Sequence, residues 1–221
     1  MIFDFFYPPR CPVCDKYIEN RDDILCEECE RNILAIEQYS LKRPPLEEIW
    51  RLTRYKEGSR ELIRNLKFDK KLNMLNAIEK ILERAVNIDD RIINLLNKID
   101  IAVMVPLHIE REKERGFNQA ELIFDKMMKR QNISIENLII RIRATEHLYD
   151  KNLEERQKEL DGAFALTEGA EKKVEGRNFL ILDDIFTTGT TMSECAKILK
   201  AAGASEIYGL ALASDFKYEK D

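Results

Sequence analysis

The segment from Asn178 to Thr191, NFLILDDIFTTGTT, limits what this chain can fold into more than any other. The run Phe179-Leu180-Ile181-Leu182 reads as a buried strand ending in two adjacent acids, Asp183 and Asp184. A loop of Thr187, Thr188, Gly189, Thr190 and Thr191 follows, and a helical pattern then begins. Strands buried on both faces belong to helix-covered open sheets, whose ligands sit at the carboxyl ends of the strands. The loop enters a helix N-terminus, where free backbone N–H groups and the helix dipole favour an anion. Gly189 lets the backbone approach a phosphate closely, and threonine hydroxyls add donors. Two carboxylates would repel that same phosphate, so they are expected to face hydroxyl groups or a cation. A ribose 5-phosphate combines a phosphate with vicinal hydroxyls and fits this arrangement. The lysine of a GxxxxGK[ST] phosphate loop is absent. The plainer reading is an acidic strand end before a threonine-capped helix.

The surrounding pattern supports a sheet of this kind. Residues 59–98 read as helical, with Leu62, Ile63 and Leu66 on one face, then Leu75, Ile78, Leu82 and Ala85, then Ile92, Ile93 and Leu96. Ile101 to Val105 is a short apolar strand closed by Pro106. Ala120, Ile123, Phe124 and Met127 mark the next helix, and Leu138, Ile140 and Ile142 alternate as in a strand. Met192, Cys195, Ala196, Leu199 and Ala202 mark a helix that stops at Gly203, and Ile207 to Ala213 is another strand. Such alternation predicts an α/β fold with a mainly parallel sheet flanked by helices. The polar stretch from Thr145 to about Glu159 is either a long loop or an exposed helix.

The N-terminal region is built differently. Cys11-x-x-Cys14 and Cys26-x-x-Cys29 hold all but one of the five cysteines. Each CxxC turn can aim two sulfurs at one point, and two turns complete a tetrahedron suited to structural zinc. The alternative is a redox dithiol or a disulfide pair, which a reducing compartment disfavours. Residues 1 to about 40 hold too little apolar mass for a core, so metal binding would supply their folding energy. Pro44-Pro45 marks the boundary, giving a zinc-binding module over 1–43 and a second domain over 44–221. The remaining cysteine, Cys195, falls on an apolar helix face and reads as a small buried hydrophobe.

Charge narrows the partners. A formal net charge of −5 argues against a protein basic all over. Yet Lys42 to Lys71 holds ten Lys/Arg against five Asp/Glu, so it is locally about +5 and could meet phosphates. A solvated helix face with offset charges is the plainer account. Trp50, Tyr55 and Phe68 are few aromatics for a stacking platform on single-stranded DNA. No apolar run reaches the ~20 residues that span a bilayer, and MIFDFFYPPR lacks a basic start, so neither leader nor anchor is expected and the cytoplasm is the expected location.

The Asp183–Thr191 segment closely resembles the phosphoribosyl-pyrophosphate signature of type I phosphoribosyltransferases. The chain as a whole resembles the ComF family of competence-associated, phosphoribosyltransferase-like proteins. The resemblance rests on the paired CxxC motifs after a YPP start, on Tyr55-x-x-Gly58 followed by Leu62, Ile63 and Lys67, and on Val105-Pro106-Leu107-His108 with Arg111 and Arg115-Gly116-Phe117-Asn118-Gln119. Glu155-Arg156, Gly162-Ala163-Phe164 and the signature loop complete it. It departs from the family at Leu148, Lys151 and Glu159, where glutamine, leucine and asparagine are usual.

The resemblance implies that Asp183 and Asp184 contact the ribose hydroxyls, directly or through magnesium. It implies that Thr187 to Thr191 bind the 5-phosphate and that the turn at Leu107 and His108 holds pyrophosphate, with Arg111 and Arg115 against its charge. For His108 a plain turn residue, and for the two arginines ordinary salt-bridged helix charge, remain the alternatives. The implied activity is magnesium-dependent transfer of phosphoribose with release of pyrophosphate. The implied setting is DNA uptake, with single-stranded DNA or a competence helicase as partners. A non-catalytic binding module of that machinery is the alternative.

Overall fold

The computed structural model describes residues 9–20, 23–39, 45–69, 72–107, 113, 116–144 and 153–215. Its centre is a sheet of six strands: β1 (Leu34–Tyr39), β2 (Glu48–Arg54), β3 (Ile101–Met104), β4 (Ser134–Ile135), β7 (Phe179–Phe186) and β8 (Ile207–Ser214), in spatial order β1-β2-β8-β7-β3-β4. Every pairing is parallel except β1 with β2. A separate antiparallel ribbon is made by β5 (Ile139–Arg141) and β6 (Phe164–Leu166).

The period-2 alternation of the central strands divides the core into two layers. Ala102, Met104, Leu180, Leu182 and Leu210 face α2 (Glu57–Asp69), α3 (Leu72–Ile88), α4 (Asp90–Leu96) and α5 (Gln119–Arg130). Ile101, Val103, Phe179, Ile181 and Ala211 face α8 (Thr190–Ala201) and the β5–β6 ribbon. On α8 the stripe Met192, Cys195, Ala196 and Leu199 is buried, and burial of a residue such as Leu199 is worth roughly 2 kcal/mol. Of the short helices, α6 (Leu153–Leu160) and α7 (Glu171–Val174) add Leu160 and Val174 to the second layer, and α1 (Glu27–Asn32) buries none of its residues.

Three sequence expectations are refined. The strand expected to end in the acid pair runs on to Phe186, so Asp183 and Asp184 lie inside β7 rather than at its end. The alternating Leu138, Ile140 and Ile142 do mark a strand, but only Leu138 of the three points inward, together with Ile139. Ile140 and Ile142 are 45% and 59% exposed, and the strand joins the small ribbon. The stretch from Thr145 to Glu159 contains a helix, α6, and its residues 145–152 lie outside the described residues.

Topology creates one crevice. From β3 the chain crosses through α5 to β4 on one side, and from β7 it crosses through α8 to β8 on the other. β3 and β7 are neighbours, in register from Ile101↔Phe179 to Met104↔Leu182. Connections that diverge from adjacent strands leave a gap above their carboxyl ends, where ligands of open α/β sheets bind.

Candidate functional site

Both sides of that crevice carry the residues singled out above. From β7 come Asp183 and Asp184, each partly exposed. The Asp183 carboxylate accepts from the Asp184 N–H at 2.9 Å, and the Asp184 carboxylate accepts from the Ile185 N–H at 2.8 Å. Along this strand end the apolar alternation slips by one. Leu182 and Ile185 pack in the α2–α5 layer, whereas Ile181 and Phe186 pack in the α8 layer.

The loop then turns into α8 at Gly189, whose φ of 72° lies in the left-handed region that only glycine enters freely. No side chain caps α8 and its first turn holds no acid, so its leading N–H groups face the loop. The Thr188 and Thr190 hydroxyls lie 2.7 Å apart. Thr187 is exposed, Thr188 and Thr191 are half-buried, and Thr190 is buried. The structure thus brings Asp183, Asp184 and Thr187–Thr191 to one strand–loop–helix junction. Cys195, one turn into α8, is fully buried; burial and then the Asp183 charge push its thiol up, so it is no nucleophile.

From β3 comes the facing turn. The Val105 N–H donates to Leu182 at 2.9 Å, extending the pairing one step beyond β3, and Pro106 and half-buried Leu107 follow. Asn118 fastens this turn in a way sequence reading did not identify. Its side-chain oxygen accepts from the Ala120 N–H at 3.0 Å and caps α5, while its amide donates to the Val105 carbonyl at 3.0 Å. Asn one residue before a helical pattern was the available signal. His108, Arg111 and Arg115 lie outside the described residues.

The cysteines form a second centre. The Sγ atoms of Cys11, Cys14, Cys26 and Cys29 all lie within 4.8 Å of one another, and Cys14 and Cys26 are 3.6 Å apart. A tetrahedral zinc–thiolate site needs sulfur separations of about 3.8 Å, so this donor set fits zinc. The first knuckle turns through Asp15 at φ 60°, with Asp15 N–H donating to Cys11 and Cys11 N–H donating to Lys16, each at 2.8 Å. In the second, Cys26 is the N-cap of α1, accepting from the Cys29 N–H at 3.5 Å. Burial raises the Cys11 thiol, but N–H donors at Cys26, Val13 and Cys14 outweigh it and bring it down to about 7.

The module is fixed to the main core rather than loosely attached. Cys11, Ile18 and Leu25 are buried in the same layer as Ala77, Ile78 and Ile81 of α3. Lys80 pairs with Asp23 and Glu30 at 3.6 and 3.4 Å, and Arg84 with Glu30 at 3.2 Å. Gly58, in the first turn of α2, meets Val13 so closely that a Cβ would stand 2.6 Å from its Cγ1. That contact explains why glycine follows Tyr55 at this spacing.

Two domain models match parts of the chain. Residues 2–40 match the double zinc ribbon domain, and residues 125–220 match the phosphoribosyl transferase domain. With the sulfur cluster, the first match supports a structural zinc. The chain is 29% identical over 204 residues to the DNA utilization protein YhgH of Escherichia coli (strain K12), covering 89% of this chain and 86% of the relative. It is 26% identical over 228 residues to competence protein F of Haemophilus influenzae, covering 94% and 99%. Adenine phosphoribosyltransferase from Thermoanaerobacter pseudethanolicus aligns over 85% of this chain and 98% of its own at 12% identity, with a TM-score of 0.40. No described helix is long and apolar enough to cross a membrane.

Proposed function

The chain belongs to the ComF family of competence-associated, phosphoribosyltransferase-like proteins, and from that premise we propose that it binds phosphoribosyl pyrophosphate in the β3–β7 crevice and transfers its phosphoribose. One observation carries the reading: the acid pair and the Gly189 loop stand together where the connections from adjacent strands diverge. The 5-phosphate would lie on the first N–H groups of α8 and the hydroxyls of Thr187–Thr191. Asp183 and Asp184 would receive the ribose hydroxyls. Leu107 and His108 would flank the pyrophosphate, with Arg111 and Arg115 against its charge.

In the reaction the bond from ribose C1 to pyrophosphate breaks, and its electron pair leaves with pyrophosphate. A nucleophilic nitrogen or amine of the acceptor then donates its own pair to C1. Positive charge grows on the ring as the bond stretches, and carboxylates beside it favour that charge. No side-chain nucleophile is needed. Hard carboxylate oxygens at Asp183 and Asp184 suit magnesium, which when bound with the substrate supplies counter-charge to the leaving group.

Mixing the protein with phosphoribosyl pyrophosphate, magnesium and a panel of amines and bases tests the transfer. Release of pyrophosphate with one of them is expected. Binding without release from any acceptor would reduce the reading to a ligand-gated module, and absence of binding would overturn it.

The names of the relatives, which refer to DNA utilization and competence, favour a second role in DNA uptake, with single-stranded DNA or a helicase as partner. Of the basic stretch, Arg54, Lys56, Arg60 and Arg64 are exposed, whereas Arg51 is buried and paired with Glu37 at 2.5 Å. Titration of single-stranded DNA at rising salt decides it: steep loss of affinity supports the role, and no affinity at low salt ends it. The division into a zinc module over 1–43 and a transferase-like domain over 44–221 is part of the same proposal.

A further inference from the structure

The strand that follows the zinc site reaches the phosphate loop. α1 begins at the cysteine site and ends at Asn32, and β1 starts two residues later at Leu34 and ends at Tyr39. Tyr39 is 5% exposed, and its ring meets that of Phe186 edge-to-face at 5.5 Å between centroids. Phe186 is the last residue of β7, directly before Thr187. The Tyr39 ring is itself held from behind. Its hydroxyl donates to Glu37 at 2.5 Å, and Glu37 pairs at 2.5 Å with Arg51 of β2. The Arg51 guanidinium lies 5.6 Å from the Tyr39 ring and donates to the Ser214 carbonyl at 2.9 Å. Ser214 ends β8 and stands in register with Phe186. Arg51, Ala211 and Asp183 also share one register row across β2, β8 and β7. A charged and aromatic brace therefore runs from the cysteine module to the root of the loop.

We propose that Tyr39 is a positioning residue for the Thr187–Thr191 loop, and that through β1 the metal-bound state of the four-cysteine site sets how firmly that loop is held. Where this bears on affinity, it rests on the reading of the loop as a 5-phosphate site. The physical reason is continuity. Without metal, α1 is no longer tied to the first cysteine knuckle, and β1 loses the fixed start that holds it at the sheet edge. Phe186 then loses the Tyr39 ring that rests against it, and the loop gains freedom that a ligand must remove on binding. Coupling of this kind is reciprocal, so a ligand on the loop must also raise the affinity for zinc.

Hydrogen–deuterium exchange of the backbone over 185–192 tests the brace without any ligand, on the full chain with zinc bound. Tyr39→Ala should raise exchange there about three- to tenfold, the ratio corresponding to an edge-to-face aromatic pair. Tyr39→Phe keeps the ring and should stay within about twofold of wild type. Removal of zinc from wild type by a chelator should reproduce the alanine effect, and removal from Tyr39→Ala should add little at 185–192. Unchanged exchange over 185–192 in Tyr39→Ala, with 34–38 exchanging faster, would overturn the proposal. So would loosening of the loop by Tyr39→Phe equal to that by alanine. A parallel titration with phosphoribosyl pyrophosphate separates the two readings: if wild type binds none, the assignment of the loop's ligand fails, while the exchange data still decide the brace.

Discussion

Gly189 and Asn118 each do something their neighbours cannot. At φ 72°, any Cβ at Gly189 strains the turn, so Gly189→Ala should cost roughly 1–2 kcal/mol in denaturant unfolding and weaken sugar-phosphate binding further. Asn118 serves two elements at once, so Asn118→Ala should cost about 1–2 kcal/mol. Asn118→Asp keeps the acceptor for α5 but cannot donate to the Val105 carbonyl, and should fall between. Equal stability of all three proteins would show that the turn after β3 is held by something else. At this scale the sequence was informative where backbone geometry demands a residue type, as at Gly189. It was mute where a side chain acts across the fold, as Asn118 does toward Val105.

Among the elements, the cysteine module depends most on a single interaction. Four thiolates closing on one zinc predict about one metal per chain. Cys14→Ser or chelation should unfold residues 9–33 as judged by proteolysis, because the described residues of that segment bury only Cys11, Ile18 and Leu25. Persistence of a protease-resistant module without metal would contradict this. The elements that alternate β with α were legible because each strand is apolar on both faces and each helix has one stripe, as in Phe179–Leu182 and the Met192–Leu199 face of α8. β2 was hidden because Arg51 and Arg54 made Glu48–Arg54 look like part of a charged surface, although Ile49, Trp50 and Leu52 are buried. β1 was hidden because an edge strand has only one covered side, and most of Leu34–Tyr39 is half-exposed. Its place in the main sheet depends on pairing with β2 across the Pro44-Pro45 connection, which local pattern does not encode.

For the molecule as a whole, stability near neutral pH should draw on the brace between β1, β2 and β8. Burial raises the Glu37 carboxyl, but the Tyr39 hydroxyl and the Arg51 charge outweigh it and leave it below its ordinary value. A carboxyl held low in the folded state adds stability above its unfolded value near 4.5, and that stability is lost as pH falls through the lower folded value. Glu37→Gln should therefore cost about 1 kcal/mol at pH 7, less than a fully buried pair because the Glu37 side chain is partly exposed, and the cost should shrink as the pH falls below 4.5. A difference that does not shrink on acidification would show that the pair is not what stabilises this edge. A sugar phosphate at the junction of β7 and α8 should be held by the acid pair of Asp183 and Asp184. Calorimetry with phosphoribosyl pyrophosphate and magnesium, on wild type and on Asp183→Asn/Asp184→Asn, tests that most directly. Saturable binding by wild type that weakens at least about tenfold in the double variant is predicted, matching the loss of charge-assisted hydrogen bonds to the ribose. Equal affinity in the two proteins would contradict it.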